Sequence, residues 1–171
     1  MKKKGDVWIS AVLYMALGVV LLSIIIAASS PVIKRMKDKN TAIQTKDVIF
    51  TLDQNIIQVY KEGPGSQRQV KVEVRRGDLT IDSSNDLIDW NFRTSVLLSE
   101  PNVPIPEGNL IIETKSFGVE GEYETSIKLD YAGTLDLTYD GLNPQISGVN
   151  TLLISNLGVN GSLPQIEIST L

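Results

Sequence analysis

Cysteine and histidine are both absent from the 171 residues of this chain. Without them there is no disulfide, no zinc site built on thiolate or imidazole ligands, no Ser-His-Asp or Cys-His triad and no dithiol redox chemistry. Neither a nucleophile–base pair nor a cluster of metal ligands stands out among the remaining residues. We therefore expect that the protein is not an enzyme and that it needs no cofactor or metal.

An excess of basic charge is also lacking, because 16 Lys and Arg residues stand against 20 Asp and Glu residues. The sequence therefore gives no reason to expect nucleic acid as a partner. The charges are unevenly divided: residues 1–62 hold nine basic and five acidic side chains, whereas residues 63–171 hold seven basic and fifteen acidic ones. This division predicts that the basic residues 1–62 and the acidic residues 63–171 form two structurally different parts.

The first part contains a run of 22 residues without any charge, residues 7–28. A helix of that length rises about 33 Å, which is enough to cross the hydrocarbon core of a bilayer. Such a run is compatible with a cleaved secretory signal, a permanent single-pass anchor or a retained polymerisation helix. The apolar core of a secretory signal has only about 7–15 residues, so the longer run here disfavours a cleaved secretory signal. Basic residues flank both ends of the run, so charge does not decide its orientation.

A basic residue and a glycine stand directly before the apolar run, in the sequence Lys4-Gly5-Asp6. This start resembles the class III signal peptide of archaeal type IV pilins and their relatives. The resemblance implies that a prepilin peptidase cuts after Gly5 and leaves the apolar helix on the mature protein. A glycine allows an extended backbone to enter a protease cleft closely, and the lysines hold the leader at the anionic cytoplasmic surface. The alternative is that Gly5 is a linker in an ordinary membrane anchor.

A second resemblance lies after the predicted helix, where Gly63-Pro64-Gly65 precedes an alternating segment, residues 66–74. This segment is similar to the turn and strand that follow the N-terminal helix in many archaeal pilin-like proteins. The two resemblances together cover about residues 1–82. Ser10 occupies the fifth position of the expected mature chain, where bacterial pilins carry glutamate, so the resemblance is to the archaeal type.

The resemblance implies a structural subunit of an archaeal type IV pilus-like surface filament, serving adhesion or surface contact. Its expected partners are further copies of itself, the prepilin peptidase, the pilus assembly machinery and, before assembly, the membrane. An archaellum filament subunit is an alternative within the family. The alternative of another class is a single-pass, membrane-anchored protein whose β-domain binds a ligand or receptor.

The polymerisation contacts are expected along the apolar run, with Gly18 as a point of close approach between helices. The residues assigned to these contacts are Trp8, Leu13, Gly18, Leu21 and Ile25. Pro31 is expected to kink or interrupt the helix. No proline or glycine follows in residues 32–62, so the helix can continue until the glycines at 63 and 65 end it.

Two apolar stripes run along this continuing helix. Each residue advances about 100° around the helix axis, which places the two stripes roughly 150° apart around that axis. The outer stripe repeats every seven residues and consists of Met36, Ile43, Phe50 and Ile57. The inner stripe has 3–4–3 spacing and consists of Ile49, Leu52, Ile56 and Val59. We expect the inner stripe to dock on the chain's own sheet and the outer stripe to contact neighbouring subunits. The alternative is that the helix lies inside one larger domain, which would also bury it on two sides. The many charges of residues 34–47 predict a solvated neck.

After Gly65 the period of the pattern changes from 3.6 to 2, because Val70, Val72 and Val74 alternate with charged residues. Arg76-Gly77-Asp78 is predicted to be a turn before a second strand, and residues 101–106 an extended connector. Further strands are predicted at 87–99, 109–117, 122–131, 133–139, 151–155 and 165–170. The predicted fold is α+β: a leader (residues 1–5), a long N-terminal helix (6–62, with 6–30 in the membrane and 31–62 as an amphipathic stalk) and an antiparallel β-sandwich-like head domain (63–171).

Little chemistry is expected in the predicted head domain. The aspartates of residues 82–86 are interpreted as an Asx-rich turn, since they lack the glycine and distal glutamate of an EF-hand loop. Asn160-Gly161-Ser162 is the only Asn-x-Ser/Thr sequence, which makes Asn160 a candidate for glycosylation.

Overall fold

The computed structural model describes residues 3–118 and 121–171, and for residues 3–7 it describes the backbone alone. The chain begins with a helix of 60 residues, α1 (Lys3–Glu62), which contains Pro31 and is not interrupted there. A proline inside a helix removes one backbone hydrogen bond, and here this loss does not end the helix. The predicted end of the helix at Glu62 is confirmed.

Eight strands follow the helix within the described residues: β1 (Gln67–Asp82), β2 (Leu87–Thr94), β3 (Ile105–Glu107), β4 (Leu110–Ser116), β5 (Tyr123–Asp130), β6 (Asp136–Asp140), β7 (Gln145–Asn160) and β8 (Leu163–Thr170). They form one sheet in the order β3-β4-β5-β2-β1-β7-β8-β6. All neighbouring strands are antiparallel except β6 and β8, which run parallel. The predicted α+β class, with a long N-terminal helix before a β-domain, is confirmed. The strands form one sheet instead of the two sheets of a sandwich, and one pair of strands is parallel.

The predicted turn at Arg76-Gly77-Asp78 is wrong, because β1 runs through these residues as one strand with a bulge. The pairing of β1 with β7 shifts between Val74 and Leu79, and residues 78–82 of β1 pair with β2 on their other side. Gly77 has a φ of +74°, and a Cβ atom there would lie 1.9 Å from the carbonyl oxygen of Asn91. The indole of Trp90 donates a hydrogen bond of 2.9 Å to the Arg76 carbonyl oxygen in the bulge. Glycine is thus required by a close approach of two strands and by the bulge conformation.

One hydrophobic core joins the helix to the sheet. The second half of α1 contributes Ala42 and the inner stripe, and the strands contribute alternating residues such as Val70, Val72 and Val74. The helix therefore covers the apolar face of the single sheet, as a second sheet does in a two-sheet sandwich. Trp90 and Tyr131 are among the largest side chains buried in this core.

The contacts of the chain divide it into two compact units, Met1–Lys37 and Asp38–Leu171. The division lies inside α1, whereas the sequence pattern predicts boundaries after residues 5, 30 and 62. The physical reason is that inward-facing side chains from Asp38 onwards pack with the sheet, so this half of the helix belongs to the same folding unit as the strands. We call Asp38–Leu171 the C-terminal unit.

Candidate functional site

The predicted leader cleavage site lies at the beginning of α1. The backbone of Lys4, Gly5 and Asp6 is helical, and their side chains lie outside the described part of the chain. Cleavage after Gly5 therefore stays a prediction.

The apolar segment of α1, residues 8–28, presents large side chains that nothing in the described chain covers. The predicted polymerisation residues Trp8, Leu13, Leu21 and Ile25 expose 53–76% of their surface. No atom lies within 4 Å of a Cβ built on Gly18, apart from its own neighbours along the helix. Among the described residues, the helix Trp8–Glu62 is long and apolar enough to cross a membrane, with a mean hydropathy of 2.7 in its most apolar window. A membrane anchor and a signal sequence both meet this criterion.

The serine hydroxyl groups near the end of the apolar segment are satisfied within the helix. Ser23, Ser29 and Ser30 each donate a hydrogen bond to the carbonyl oxygen four residues earlier, at 2.8, 2.7 and 3.3 Å. Because these hydroxyl groups have partners in their own helix, they need no water molecule. This part of α1 therefore suits both a lipid environment and contact with other apolar helices.

The inner stripe is confirmed, because Ile49, Leu52, Ile56 and Val59 are all fully buried in the core. The buried face of the helix nevertheless begins earlier than predicted. Asp38, Ala42 and Thr45 are also buried, so residues 38–47 are not the solvated neck that their charges suggested. The missed signal is the spacing: residues 38, 42, 45 and 49 continue the inner stripe at intervals of four, three and four.

Asp38 anchors the helix to two parts of the sheet. Its Oδ1 atom accepts a hydrogen bond from the guanidinium group of Arg76 in the β1 bulge. Its Oδ2 atom accepts hydrogen bonds of 2.9 Å from the backbone N–H of Ser95 and 2.6 Å from the Ser95 hydroxyl group, just after β2. The same guanidinium group also donates to the carbonyl oxygen of Arg93 at 3.1 Å. Burial by itself raises the pKa of Asp38, but the bonds from Ser95 and Arg76 outweigh it and hold the pKa below its usual value.

Replacing this carboxylate, as in Asp38→Asn, is expected to lower the free energy of unfolding by about 1–3 kcal/mol, because an amide cannot accept all three hydrogen bonds. Because folding lowers the pKa of Asp38, its contribution is fully present above the unfolded pKa of about 4 and is lost as the pH falls through the folded pKa. Urea melts from pH 7 down to pH 3 check this. The stability difference between wild type and Asp38→Asn should be constant above about pH 5 and shrink below about pH 4.

Asp47→Asn is the matched control, because Asp47 lies on the same helix with an exposed side chain. It is expected to change the free energy of unfolding by less than about 0.5 kcal/mol. A difference between wild type and Asp38→Asn that does not depend on pH would contradict the anchoring role of the carboxylate.

Two further residues of α1, Asp53 and Val59, accept hydrogen bonds from other parts of the C-terminal unit. The carboxylate of Asp53 accepts hydrogen bonds from the Tyr131 hydroxyl group at 2.9 Å and from the Asn109 side-chain amide at 3.1 Å. Burial, and then the neighbouring Asp53 carboxylate, raise the pKa of Tyr131. Near the end of α1, the Val59 carbonyl oxygen accepts hydrogen bonds from the side chains of Ser66 and Asn156. These contacts, with Asp38, fix the rotation of the helix on the sheet and decide which face remains outside.

The outer stripe is mostly exposed. Met36, Ile43 and Phe50 expose 62%, 48% and 49% of their surface, whereas Ile57 is partly buried and packs against the core. A shallow apolar groove on this face is lined by Phe50, Asp53, Gln54, Ile57, Gln58 and Lys61. The helix of the C-terminal unit therefore has an apolar face that the described part of its own chain leaves uncovered.

The remaining predicted site residue, Asn160, is exposed at the end of β7, and its amide donates a hydrogen bond of 3.1 Å to Asp136. The loop after β1 is an Asx turn as expected, because the Asp82 carboxylate accepts bonds from the Ser84 backbone and the Asn85 side chain. Within residues 3–118 and 121–171, no group of three or more His, Cys, Asp or Glu residues is placed to hold a metal ion.

The features brought together on α1 are those of a contact surface: an uncovered apolar segment, an uncovered apolar stripe and polar anchors that hold the opposite face on the sheet. Such a surface can bind lipid or other apolar helices by burial of its side chains. No protein-family model, no curated protein and no solved structure matches this chain.

Proposed function

We propose that this chain is a pilin, the structural subunit of an archaeal type IV pilus-like filament on the cell surface. It is made as a single-pass precursor in the plasma membrane, and a prepilin peptidase removes residues 1–5. Copies of the mature chain then polymerise through α1 with the help of the pilus assembly machinery. The filament serves adhesion or surface contact.

The observation that carries this proposal is the uncovered apolar surface of α1, which extends beyond what a membrane accounts for. Lipid covers residues of the apolar segment, such as Leu13 and Ile25, while the precursor is in the bilayer. Ile43 and Phe50, by contrast, belong to the C-terminal unit and expose about half of their surface. Burial of apolar surface contributes roughly 25 cal/mol per Å², so contact with another protein chain is favoured at these residues.

The spacing of the outer stripe supports a helix as the covering element. An apolar residue at every seventh position, from Met36 to Ile57, keeps one seam of a helix facing another helix over several turns. Parallel copies of α1 in a polymer offer such a partner repeatedly. The same assembly would cover the apolar segment once a subunit has left the lipid.

The proposal is tested on the protein purified from the cells that produce it. We expect intact-mass analysis to give a mature chain that begins at Asp6, and electron microscopy of sheared cell surfaces to show filaments that contain it. A chain that begins at Met1 and stays in the membrane fraction without filaments would overturn the proposal. That result would favour the alternative of a membrane-anchored β-domain that binds a ligand or receptor.

An archaellum filament subunit remains the alternative within the family, and deletion of the gene separates the two. Loss of surface attachment with normal swimming is expected for a pilin. Loss of swimming would assign the filament to the archaellum instead.

A further inference from the structure

We infer that Asn160 is the attachment site of an N-linked glycan, an inference that rests on the proposed location of the C-terminal unit outside the cell. Asn160, Gly161 and Ser162 form the only Asn-x-Ser/Thr sequence in the chain. The tripeptide is a general acceptor for N-glycosylation, provided that it is accessible on the surface. The structure of the β7–β8 hairpin supplies this second condition.

The tripeptide forms the tip of a tight hairpin. Asn160 is the last residue of β7 and pairs with Leu163, the first residue of β8, so that Gly161 and Ser162 are the two turn residues. Gly161 has a φ of +66°, whereas the φ of Ser162 is not positive, which is the pattern of a type II′ turn with glycine at its first central position. Asn160, Gly161 and Ser162 are all exposed. A transferase can therefore reach both Asn160 and Ser162 without unfolding the sheet.

The side chain of Asn160 is also free to react without the loss of its own contact. Its Nδ2 atom carries two hydrogen atoms, and one of them is donated to an Asp136 carboxylate oxygen at 3.1 Å. Substitution of the other hydrogen leaves this bond in place. An N-linked Asn160 thus keeps one N–H group as a donor for Asp136.

The group transfer balances with one co-reactant, a sugar chain carried on a lipid-linked phosphate. A bond forms between Nδ2 of Asn160 and the anomeric carbon of the sugar, while the bond between that carbon and the phosphate oxygen breaks. The phosphate leaves with the electron pair, and Nδ2 gives up one proton to a base or to water. No oxidant or reductant takes part.

The position of Asn160 gives the glycan a structural consequence. Asp136 is the first residue of β6, and β6 is the last strand at one edge of the sheet. Exposed sheet edges invite pairing with strands of other chains, and proteins protect them with charges or bulky groups. A glycan that starts beside Asp136 stands next to this edge and hinders unwanted strand pairing.

The test uses the full chain purified from the producing cells. No Lys or Arg follows Lys128, so trypsin leaves residues 129–171 as one fragment that contains Asn160. We expect this fragment to carry the mass of a glycan. Ser162→Ala should remove the added mass although Asn160 is unchanged, and the matched control Ser162→Thr should retain it, because Asn-Gly-Thr is still an acceptor. A wild-type fragment 129–171 with the mass of the unmodified peptide would overturn the inference, as would an added mass that survives Ser162→Ala.

A second measurement separates this inference from the proposed location. Because the chain has no cysteine, Ser147→Cys introduces a single thiol at an exposed position of β7. Labelling of intact cells with a membrane-impermeant maleimide supports an external C-terminal unit. Labelling together with an unmodified fragment 129–171 would overturn the glycan and leave the location standing. Labelling only after lysis would overturn the external location and, with it, the basis of both proposals.

Discussion

Gly18→Asp is expected to abolish filaments while leaving the folding of the C-terminal unit unchanged. Gly18 lies near the middle of the charge-free run of residues 7–28, and apart from its own neighbours along the helix no atom lies within 4 Å of its Cβ position. A charged side chain at the centre of a membrane helix costs about 2.5–3.5 kcal/mol on insertion scales, and in a polymer every copy would place that charge among apolar neighbours. The effect therefore repeats at each subunit.

Filaments are counted by electron microscopy, the precursor is followed by immunoblotting of membranes, and the C-terminal unit is melted in urea. The matched control is Gly18→Ala, which adds one methyl group without charge, and apart from the neighbouring residues of the helix no atom lies within 4 Å of that group. We expect this variant to assemble, because alanine also favours the helix by about 1 kcal/mol over glycine. Normal abundance of Gly18→Asp filaments would contradict a filament core made of these helices. Loss of filaments in both variants would assign the effect to close packing at Gly18 rather than to charge.

Leu52→Ala and Phe50→Ala are expected to have opposite effects, although the two residues are neighbours on the same helix. Leu52 is fully buried in the core, so its truncation should lower the free energy of unfolding by about 2–5 kcal/mol. Phe50 exposes 49% of its surface, so its truncation should change monomer stability by less than about 1 kcal/mol. Filament assembly should be impaired more by Phe50→Ala than by Leu52→Ala, because Phe50 belongs to the outer stripe. In the proposed filament, its loss would remove apolar contacts from every subunit interface.

The comparison requires a soluble fragment that begins before Asp38, for example at Lys34, since the Asp38 anchor is part of the C-terminal unit. Urea melts of the fragment give monomer stability, and filament yield from cells that express the full-length variants gives assembly. Equal losses of monomer stability in the two variants would place both stripes in one ordinary core. The outer stripe would then have no role in contacts between subunits.

Sequence periodicity is sufficient to predict the helix and most strands, because both depend on local patterns. The inner stripe was recognised because apolar residues at 3–4–3 spacing mark one face of a helix. The strands β2, β4 and β5 lie within the predicted ranges 87–99, 109–117 and 122–131, where apolar residues alternate with polar ones. Local patterns did not recognise Asp38 or Asp53, because an acidic residue at a helix position is usually solvated. Asp38 is buried against Arg76 and Ser95, whereas Asp53 is half-buried and accepts a hydrogen bond from Tyr131. All three partners are distant in the chain.

The turn predicted at Gly77 shows that local sequence patterns are also insufficient for parts of the strands. Arg-Gly-Asp suits a reversal of the chain and a bulge equally well, since both use a glycine with positive φ. The choice depends on β7, which pairs with β1 before and after the bulge, and on β2, which pairs with residues 78–82 of β1. The order of the strands and the parallel pair β6–β8 likewise involve segments that are far apart in the sequence.

The amino-acid sequence by itself determined the apolar segment, the extent of the helix, the alternation of the strands and the presence of one Asn-x-Ser/Thr tripeptide, at Asn160. These features follow from the order of neighbouring residues, because helix and strand periods and the length of an apolar run are local properties. Only the tertiary structure decided that the C-terminal unit begins at Asp38, that β1 continues through Gly77 and that Phe50 remains uncovered while Leu52 is buried. The reason is that burial and hydrogen bonding depend on partners brought close by the fold, and a carboxylate such as Asp38 becomes an anchor only when those partners surround it.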